Sequence, residues 1–437
     1  MCKVMKKVHF LGIGGSGASA IAAIAEAEGF EVTGCDLEPN NEFTADFKDS
    51  QLLKGHNPEH LNSHLESGKV DILAATPAVY SLDPDNEELN VAKERGIEVL
   101  TWQEFMGKYL QKDKFVIAVC GTHGKSTVTA MIGRLLEDAG LDPTVELGAI
   151  VPKWGKNYRI GQGKYFVTEA DEFNDNYLPT KPDIAVITNI EMDHPEYFKD
   201  FEAVKESFKK FLLQTKSTIV ANLFDPVVAE ILKYIMKESK VTSFDYSNNR
   251  TKVDLNLKIP GDFNQLNAKA AFQIGLLLGI DPEIIKKSLE NFTGVGRRFE
   301  HLGNYRGREV YTDFGHHPTE IKTTMEAARK KFKKKYIWLI FQPHMFSRTK
   351  GLFKEFVEAF KNLPINQILI MDIYPSREVD TGLVTGKQLA EAVKKSSVDF
   401  VSNENLKEVI NAETQPGDIL FFMGAGDIDK IARELVR

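Results

Sequence analysis

Cysteine is scarce in this chain: three residues in 437, Cys2, Cys35 and Cys120, with no C-x-x-C pair. That usage fits a reducing compartment better than a disulfide framework. Cys35 and Cys120 end apolar, strand-like runs and read as small core residues. No apolar run is long enough to span a bilayer, so no membrane partner is expected. A basic tail is also missing, and the net charge of −7 argues against nucleic acid as a partner. The one basic run, Lys330 to Lys335, follows a helical pattern and reads as a solvated helix end. The N-terminal MCKVMKKVHFLGIGG runs straight into a glycine turn that needs its strand, so it is not read as a signal peptide, and a cytoplasmic protein is expected. Short-period repeats and low-complexity linkers are absent.

What is present is an ordinary globular composition, 42% apolar and 27% charged. The length exceeds what one core serves and predicts two or three domains. Strand-like and helix-like runs alternate throughout, which predicts α/β domains with mainly parallel sheets. In the first region strands are expected ending at Asp36, at Val70–Ala75 and at Ile97–Leu100, with a helix at Asn86–Arg95. The second region carries the strand Lys114–Cys120 and helices at Val128–Ala139 and Phe201–Leu213. NAKAAFQIGLLLGI and PEIIKKSLENF read as two further helices. The third has strands at Arg308–Asp313, Ile337–Phe341, Gln367–Asp372, Val398–Val401 and Asp418–Met423.

Residues 121 to 127 read GTHGKST. A strand before, a glycine turn with Lys-Ser-Thr, and a helix after it make a phosphate cradle: backbone N–H groups and the helix N-terminus face the anion, and Lys125 adds a charge. Gly121, Thr122, His123, Gly124, Lys125, Ser126 and Thr127 are the expected contacts. Only two residues separate the glycines, against four in the common phosphate loop. A nucleoside triphosphate brings Mg²⁺, which takes oxygen ligands, and Ser126 is the hydroxyl placed to meet it. Glu169, Asp171 and Glu172 follow the strand YFVT. Asn189, Glu191, Asp193 and His194 follow another apolar strand. In an open α/β sheet both groups fall at the edge where ligands bind.

A second glycine turn, Gly12-Ile-Gly14-Gly15-Ser16-Gly17, also follows a strand and opens a helix, with Asp36 roughly twenty residues on. Taken alone it favours NAD. Beside a separate ATP loop it suggests a nucleotide-sugar substrate, because the same glycines and helix terminus serve any diphosphate.

GTHGKST, EADE, TNIEMDH, NQLNAKAA, GRRFE, DFGHHPTEI and FQPHMFSRT occur in the order seen in Mur ligases, and the chain resembles that family over essentially its whole length. With GIGGSGASAIA at its start it is most similar to the alanine-adding members. The resemblance implies an N-terminal Rossmann-like UDP-binding domain (1–107), a central P-loop ATPase-like domain (108–299) and a C-terminal Rossmann-like amino-acid-binding domain (300–437). It implies UDP-N-acetylmuramate and L-alanine as substrates, with ATP and Mg²⁺, in a monomer or homodimer. ATP would phosphorylate the substrate carboxylate, and the amine would displace phosphate from the acyl phosphate.

Carried over by position, Lys125 would contact the transferring phosphates, and Ser126, Glu169 and His194 would hold metal. Asn264 and Asn267 would meet adenine, Arg298 the phosphates and Asp313 the ribose. His316, His344 and Arg348 would line the amino-acid pocket, with His316 also counted as catalytic. Gly12, Gly14, Gly15, Ser16, Gly17, Asp36, Thr76, Pro77 and Asn189 would hold the UDP-sugar. Plainer readings stand beside these: Asn267 as a helix N-cap, His316-His317 as a helix start before Pro318, Arg298 in a hinge salt bridge. Phe263 replaces a histidine usual in relatives, Met345 an arginine, and Phe173 to Tyr177 depart from the usual S-D-x-S-F. Lys205 and Lys209 read as solvated helix charges. A recycling ligase that joins a tripeptide to the same sugar nucleotide, and an NAD-dependent oxidoreductase, are the competing functions.

Overall fold

The computed structural model describes residues 5–62, 69–248 and 254–437; Cys2 lies outside them. The chain divides into two compact units. One contains Met1–Ile190, Val204–Asp254 and Asn267–Leu289, the other Glu191–Ala203, Leu255–Leu266 and Glu290–Arg437.

The first unit holds two sheets. One is built from β1 (Lys7–Leu11), β2 (Glu31–Asp36), β3 (Leu52–Lys54), β4 (Ile72–Ala75) and β5 (Glu98–Thr101), in spatial order β3-β2-β1-β4-β5, all parallel. All five residues of β1 are buried, as expected where helices cover both faces of a parallel sheet. The helix Ser16–Ala27 buries every residue from Ala18 to Ala25, and its alanines let it lie close against the strands.

The second sheet has β6 (Phe115–Cys120), β7 (Thr144–Val151), β8 (Lys156–Arg159), β9 (Tyr165–Glu169), β10 (Ile184–Ile187), β11 (Thr218–Ala221) and β12 (Thr242–Asp245), in order β12-β11-β10-β6-β9-β7-β8. Only the β7–β8 pair is antiparallel. Cys35 and Cys120 are both fully buried.

The second unit is built on β13 (Glu300–Tyr305), β14 (Arg308–Asp313), β15 (Ile337–Phe341), β16 (Gln367–Ile370), β17 (Val398–Phe400) and β18 (Ile419–Met423), in order β13-β14-β18-β15-β16-β17. β13 and β14 form an antiparallel hairpin and the other pairs are parallel.

Most expected elements appear within a residue or two of their expected bounds, and the helix Phe201–Leu213 matches at both ends. The hairpin partners β8 and β13 were not foreseen, since KNYR and EHLGNY lack an apolar alternation. The phosphate-loop helix starts at Lys125, three residues before its apolar run, because the lysine and hydroxyl residues form its first turn.

Two surface readings need correction. Lys205 is largely covered and pairs with Glu230 at 3.1 Å, and Lys209 pairs with Glu206 at 2.6 Å. The basic run Lys330–Lys335 is a solvated helix end as expected: its lysines are exposed where the helix Pro318–Lys331 ends, and the Lys331 ammonium also lies 5.3 Å from the Phe299 ring and 5.5 Å from Tyr311.

Candidate functional site

Parallel strands bring their C-terminal ends to one edge of each sheet, and the sequence-derived site residues collect there. At the first sheet, Gly12 follows β1, Asp36 ends β2 and Thr76 follows β4. The Gly12 and Ile13 N–H groups donate to the Cys35 carbonyl at 2.8 and 3.1 Å. Asp36 Oδ2 accepts from the Gly14 N–H at 3.0 Å, and Asn41 Nδ2 donates to the Gly14 carbonyl at 3.0 Å. A Cβ on Gly14 would sit 2.8 Å from the Asp36 carboxylate, which would have to shift to admit it. Gly15 precedes the helix that begins with Ser16 and Gly17. Asn157, which the sequence did not single out, donates from Nδ2 to the Ser16 carbonyl at 2.6 Å. Pro77 opens the short helix after Thr76.

At the second sheet, β6 leads into the phosphate loop. Gly121 has φ 130°, and a Cβ there would lie 2.1 Å from Thr188 Oγ1. Asn189 follows β10 and braces the loop: the Thr122 N–H donates to its carbonyl at 2.9 Å, the His123 N–H to its Oδ1 at 2.8 Å, and its Nδ2 to the His123 carbonyl at 3.0 Å. The structure seats this residue, expected at the UDP-sugar, against the Gly121–Thr127 loop. Gly124 precedes the helix Lys125–Asp138, whose first turn carries Ser126 and Thr127.

The charges of this loop form one connected set. Lys125 Nζ donates to Glu172 Oε2 at 2.8 Å and lies 3.6 Å from Asp171. Burial opposes its charge, but Glu172, Asp171 and Glu169 raise its pKa, so it is a fixed cation. Ser126 Oγ donates to Glu169 Oε1 at 2.9 Å, and the Gly148 N–H holds the other oxygen at 2.8 Å. Glu146, on β7, is almost wholly buried; burial pushes its carboxyl up to about 8, and the neighbouring Glu169 and Asp171 add to this. The only sequence signal for Glu146 is an acid inside an apolar strand, and for Glu172 its place in the EADE run.

The hydroxyl of Ser126 and the carboxylate of Glu169 are hard oxygen donors already in contact, which fits Mg²⁺. Asn267 belongs to the same unit and lies inside the helix Asp262–Leu277, so it is not an N-cap. Its Oδ1 would meet a Cβ on Gly124 at 2.8 Å.

In the second unit, His194 has φ 54°, a sparsely populated conformation for a non-glycine residue. Its Nδ1 lies 3.2 Å from Glu196 Oε1. Arg348 is 2% exposed, and all three of its guanidinium nitrogens face partners. Nε donates to Asp193 Oδ1 at 2.9 Å, one terminal nitrogen lies 3.1 Å from His344 Nδ1, and the other 3.4 Å from His194 Nδ1. Arg348 is thus held in a buried ion pair with Asp193.

The His316 and His344 rings stand 5.9 Å apart. Burial lowers His316 to about 4 and His344 to about 2, with the Arg348 charge acting in the same direction, so both are neutral near pH 7. Met345 is buried with φ 70° and precedes the short helix carrying Arg348.

His317 and Pro318 do start a helix, with Glu320 completing a capping box. Glu320 also accepts from the His316 N–H at 3.0 Å and from Arg298 at 3.0 Å, so Arg298 is in an ion pair. Asp313 is buried and accepts the Phe299 and Gly315 N–H groups, each at 2.8 Å. Asn264 Nδ2 donates to the Pro260 carbonyl at 2.7 Å. Glu320 was missed because its partners are set by the turn before its helix.

Three family patterns cover the chain in order: Mur ligase family, catalytic domain, over residues 7–114; Mur ligase middle domain over 119–275; and Mur ligase, glutamate ligase domain over 297–426. The chain is 37% identical to the UDP-N-acetylmuramate--L-alanine ligase of Acetivibrio thermocellus, covering 99% of this chain and 96% of the relative. It is 36% identical to that of Aquifex aeolicus, covering 99% and 98%. The solved UDP-N-acetylmuramate-alanine ligase of Thermotoga maritima superposes with a TM-score of 0.78 at 27% identity, covering 98% of each chain. The murein peptide ligase of Psychrobacter arcticus shares the fold, with a TM-score of 0.70 at 21% identity and 98% of each chain. A phosphate loop braced by Asn189, a Lys125–Glu172 pair, and relatives aligned from end to end lead to one assignment: the chain belongs to the Mur ligase family.

Proposed function

We propose that the chain joins L-alanine to the carboxylate of UDP-N-acetylmuramate at the expense of ATP, in peptidoglycan precursor synthesis. The observation that carries this reading is the 37% identity, over 99% of the chain, to a UDP-N-acetylmuramate--L-alanine ligase. The site chemistry agrees with it. A carboxylate is a poor electrophile until it carries a leaving group. A substrate carboxylate oxygen attacks the γ-phosphorus, and the bond to the ADP oxygen breaks. The alanine amine then attacks the acyl carbon, the bond to phosphate breaks, and the amine proton is lost.

In this scheme Lys125 contacts the transferring phosphates, and the phosphate-loop N–H groups cradle them. Ser126 and Glu169, with His194, would hold Mg²⁺, which would neutralise phosphate charge. Asn264, Asn267, Arg298 and Asp313 complete the ATP site. The Gly12–Gly17 turn with Asp36, Thr76 and Pro77 takes the UDP-sugar. His316, His344 and Arg348 line the alanine pocket. The regions 1–107, 108–299 and 300–437 thus divide UDP-sugar, ATP and amino acid between them. A cytoplasmic monomer or homodimer without nucleic-acid or membrane partners fits the composition, and no described helix is long and apolar enough to cross a membrane.

The deciding experiment is phosphate release from ATP with UDP-N-acetylmuramate, against a panel of single amino acids and the tripeptide. L-Alanine should give the highest kcat/KM. Preference for the tripeptide would replace this reading with the recycling ligase, and phosphate release independent of any amine would overturn both.

A further inference from the structure

Away from the catalytic loops, the first sheet buries an unusual group of side chains. His9 on β1, Cys35 on β2, His60 in the turn Pro58–Leu61 and Glu88 in the first turn of the helix Glu87–Glu94 converge. One ligand atom from each lies within 4.8 Å of all the others. His9, Cys35 and Glu88 are 0% exposed.

We propose that these four residues form a structural zinc site. The donor types are those zinc takes: two imidazole nitrogens, a thiolate and a carboxylate oxygen, four in number. The thiolate and the carboxylate together balance a divalent cation, leaving a neutral centre. That balance matters because the surroundings are apolar: Leu11, Leu61, Val70, Leu73 and Leu89 pack in the same core. Two imidazoles, an acid and a thiol in such a place are costly unless charge and hydrogen bonds are matched.

The contacts converge on Glu88. Oε1 lies 3.0 Å from His9 Nε2, while Oε2 lies 3.4 Å from Cys35 Sγ and 3.6 Å from His60 Nδ1. Tetrahedral zinc with bonds of about 2.0–2.3 Å puts neighbouring ligand atoms about 3.3–3.8 Å apart, close to the 3.4 and 3.6 Å that separate Glu88 Oε2 from Cys35 Sγ and His60 Nδ1. His9 Nε2 and Glu88 Oε1 are at ion-pair distance, yet neither makes a well-aligned hydrogen bond. An ion between them would satisfy both atoms.

The supporting contacts are also those of a metal site. His9 Nδ1 meets Thr33 Oγ1 at 2.8 Å, which orients the ring and leaves Nε2 to bind. The Asn57 N–H donates to Glu88 Oε2 at 3.0 Å, and His56 Nδ1 lies 3.4 Å from the Cys35 sulfur. Burial and the Glu88 charge push the Cys35 thiol up, so without a cation the sulfur keeps its proton; zinc binding releases that proton to solvent. The site would also tie Cys35, whose carbonyl holds the Gly12 turn, to three other segments.

The test uses the full chain, with excess Mg²⁺ present. Metal content of the purified protein is measured, the protein is stripped with a chelator, and Zn²⁺ and Co²⁺ are titrated back. One equivalent of zinc is expected, and the cobalt form should show a thiolate-to-metal charge-transfer band. Cys35→Ala should abolish that band, and Cys35→Ala and Glu88→Gln should each weaken zinc binding about a hundredfold or more. Thr33→Val should weaken it about ten- to a hundredfold. Circular dichroism checks that each variant folds; if one does not, the wild-type titration decides. Absence of both a zinc equivalent and the cobalt–thiolate band in the wild type would overturn the site, as would unchanged zinc affinity in folded Cys35→Ala.

Discussion

Arg348 and Asp193 lie 155 positions apart in the chain and form a buried ion pair, with Nε donating to Oδ1 at 2.9 Å. Their side chains are 3% and 8% exposed. Arg348 therefore positions the Asp193–His194 turn whether or not it also meets the alanine carboxylate. Removing one partner strands the other, at about 3–5 kcal/mol. Arg348→Ala should accordingly lower the melting temperature and raise the KM for alanine. Replacing both residues by apolar ones, Arg348→Met with Asp193→Leu, should recover stability, since a buried pair often contributes no more than good packing. If the double variant also recovers the wild-type alanine KM, Arg348 has no part in amino-acid recognition.

The Lys125–Glu172 contact at 2.8 Å yields a second double-variant experiment. Glu172 is 2% exposed, so Lys125→Ala takes a partner from a buried acid and, on the proposed function, also loses a phosphate contact. Turnover should fall ~10³-fold or more, as when a charge on the transferring phosphoryl group is removed. Stability should fall as well. Adding Glu172→Gln should restore the melting temperature and leave turnover at the Lys125→Ala level. Restored turnover would remove Lys125 from the phosphate-transfer step.

A substitution at Gly14 tests the proposed UDP-sugar site apart from the proposed ATP site. A methyl group there would sit 2.8 Å from Asp36 Oδ2 and 3.0 Å from Asn41 Nδ2, so both side chains must move off the Gly14 backbone groups they hold. Calorimetry should find UDP-N-acetylmuramate binding weakened at least tenfold in Gly14→Ala, with ATP binding unchanged and no NAD binding in either protein. Tight NAD binding by the wild type would reinstate the dinucleotide reading of this loop.

Local patterns carried the architecture. Strand, turn and helix around Gly121 involve neighbours in sequence, so their order is readable from residues 114 to 139. Long-range partners were not readable: Glu172 on Lys125, Asp193 on Arg348 and Asn189 on the phosphate loop depend on which strands lie side by side. Asn267 was misjudged as a possible cap because NAKAAFQ looks like a start, whereas the helix begins at Asp262 after the Pro260-Gly261 turn. Cys35 was correctly read as buried, but its neighbours His9, His60 and Glu88 come from separate elements that no spacing rule connects.

His316 gives stability a pH dependence of definite sign. Its folded pKa is lowered from 6.5 to about 4, chiefly by burial and then by the Arg348 charge. Below about pH 6.5 the unfolded chain takes up a proton that the folded chain refuses, so the unfolded state gains. Stability should therefore be full above that pH and fall as pH drops towards about 4, by up to about 1.4 kcal/mol per pH unit from this group. Below the folded pKa both states carry the proton and the slope ends. His344, lowered to about 2, adds a similar slope that extends further into acid. Urea unfolding across this window should show a shallower slope for His316→Gln than for the wild type. Equal slopes would mean that the folded imidazole already holds its proton, and so could not accept a hydrogen bond from the incoming amine. A neutral His316 can accept one, and burial, with the Arg348 charge in support, keeps the ring neutral, which is why the same substitution should also raise the alanine KM.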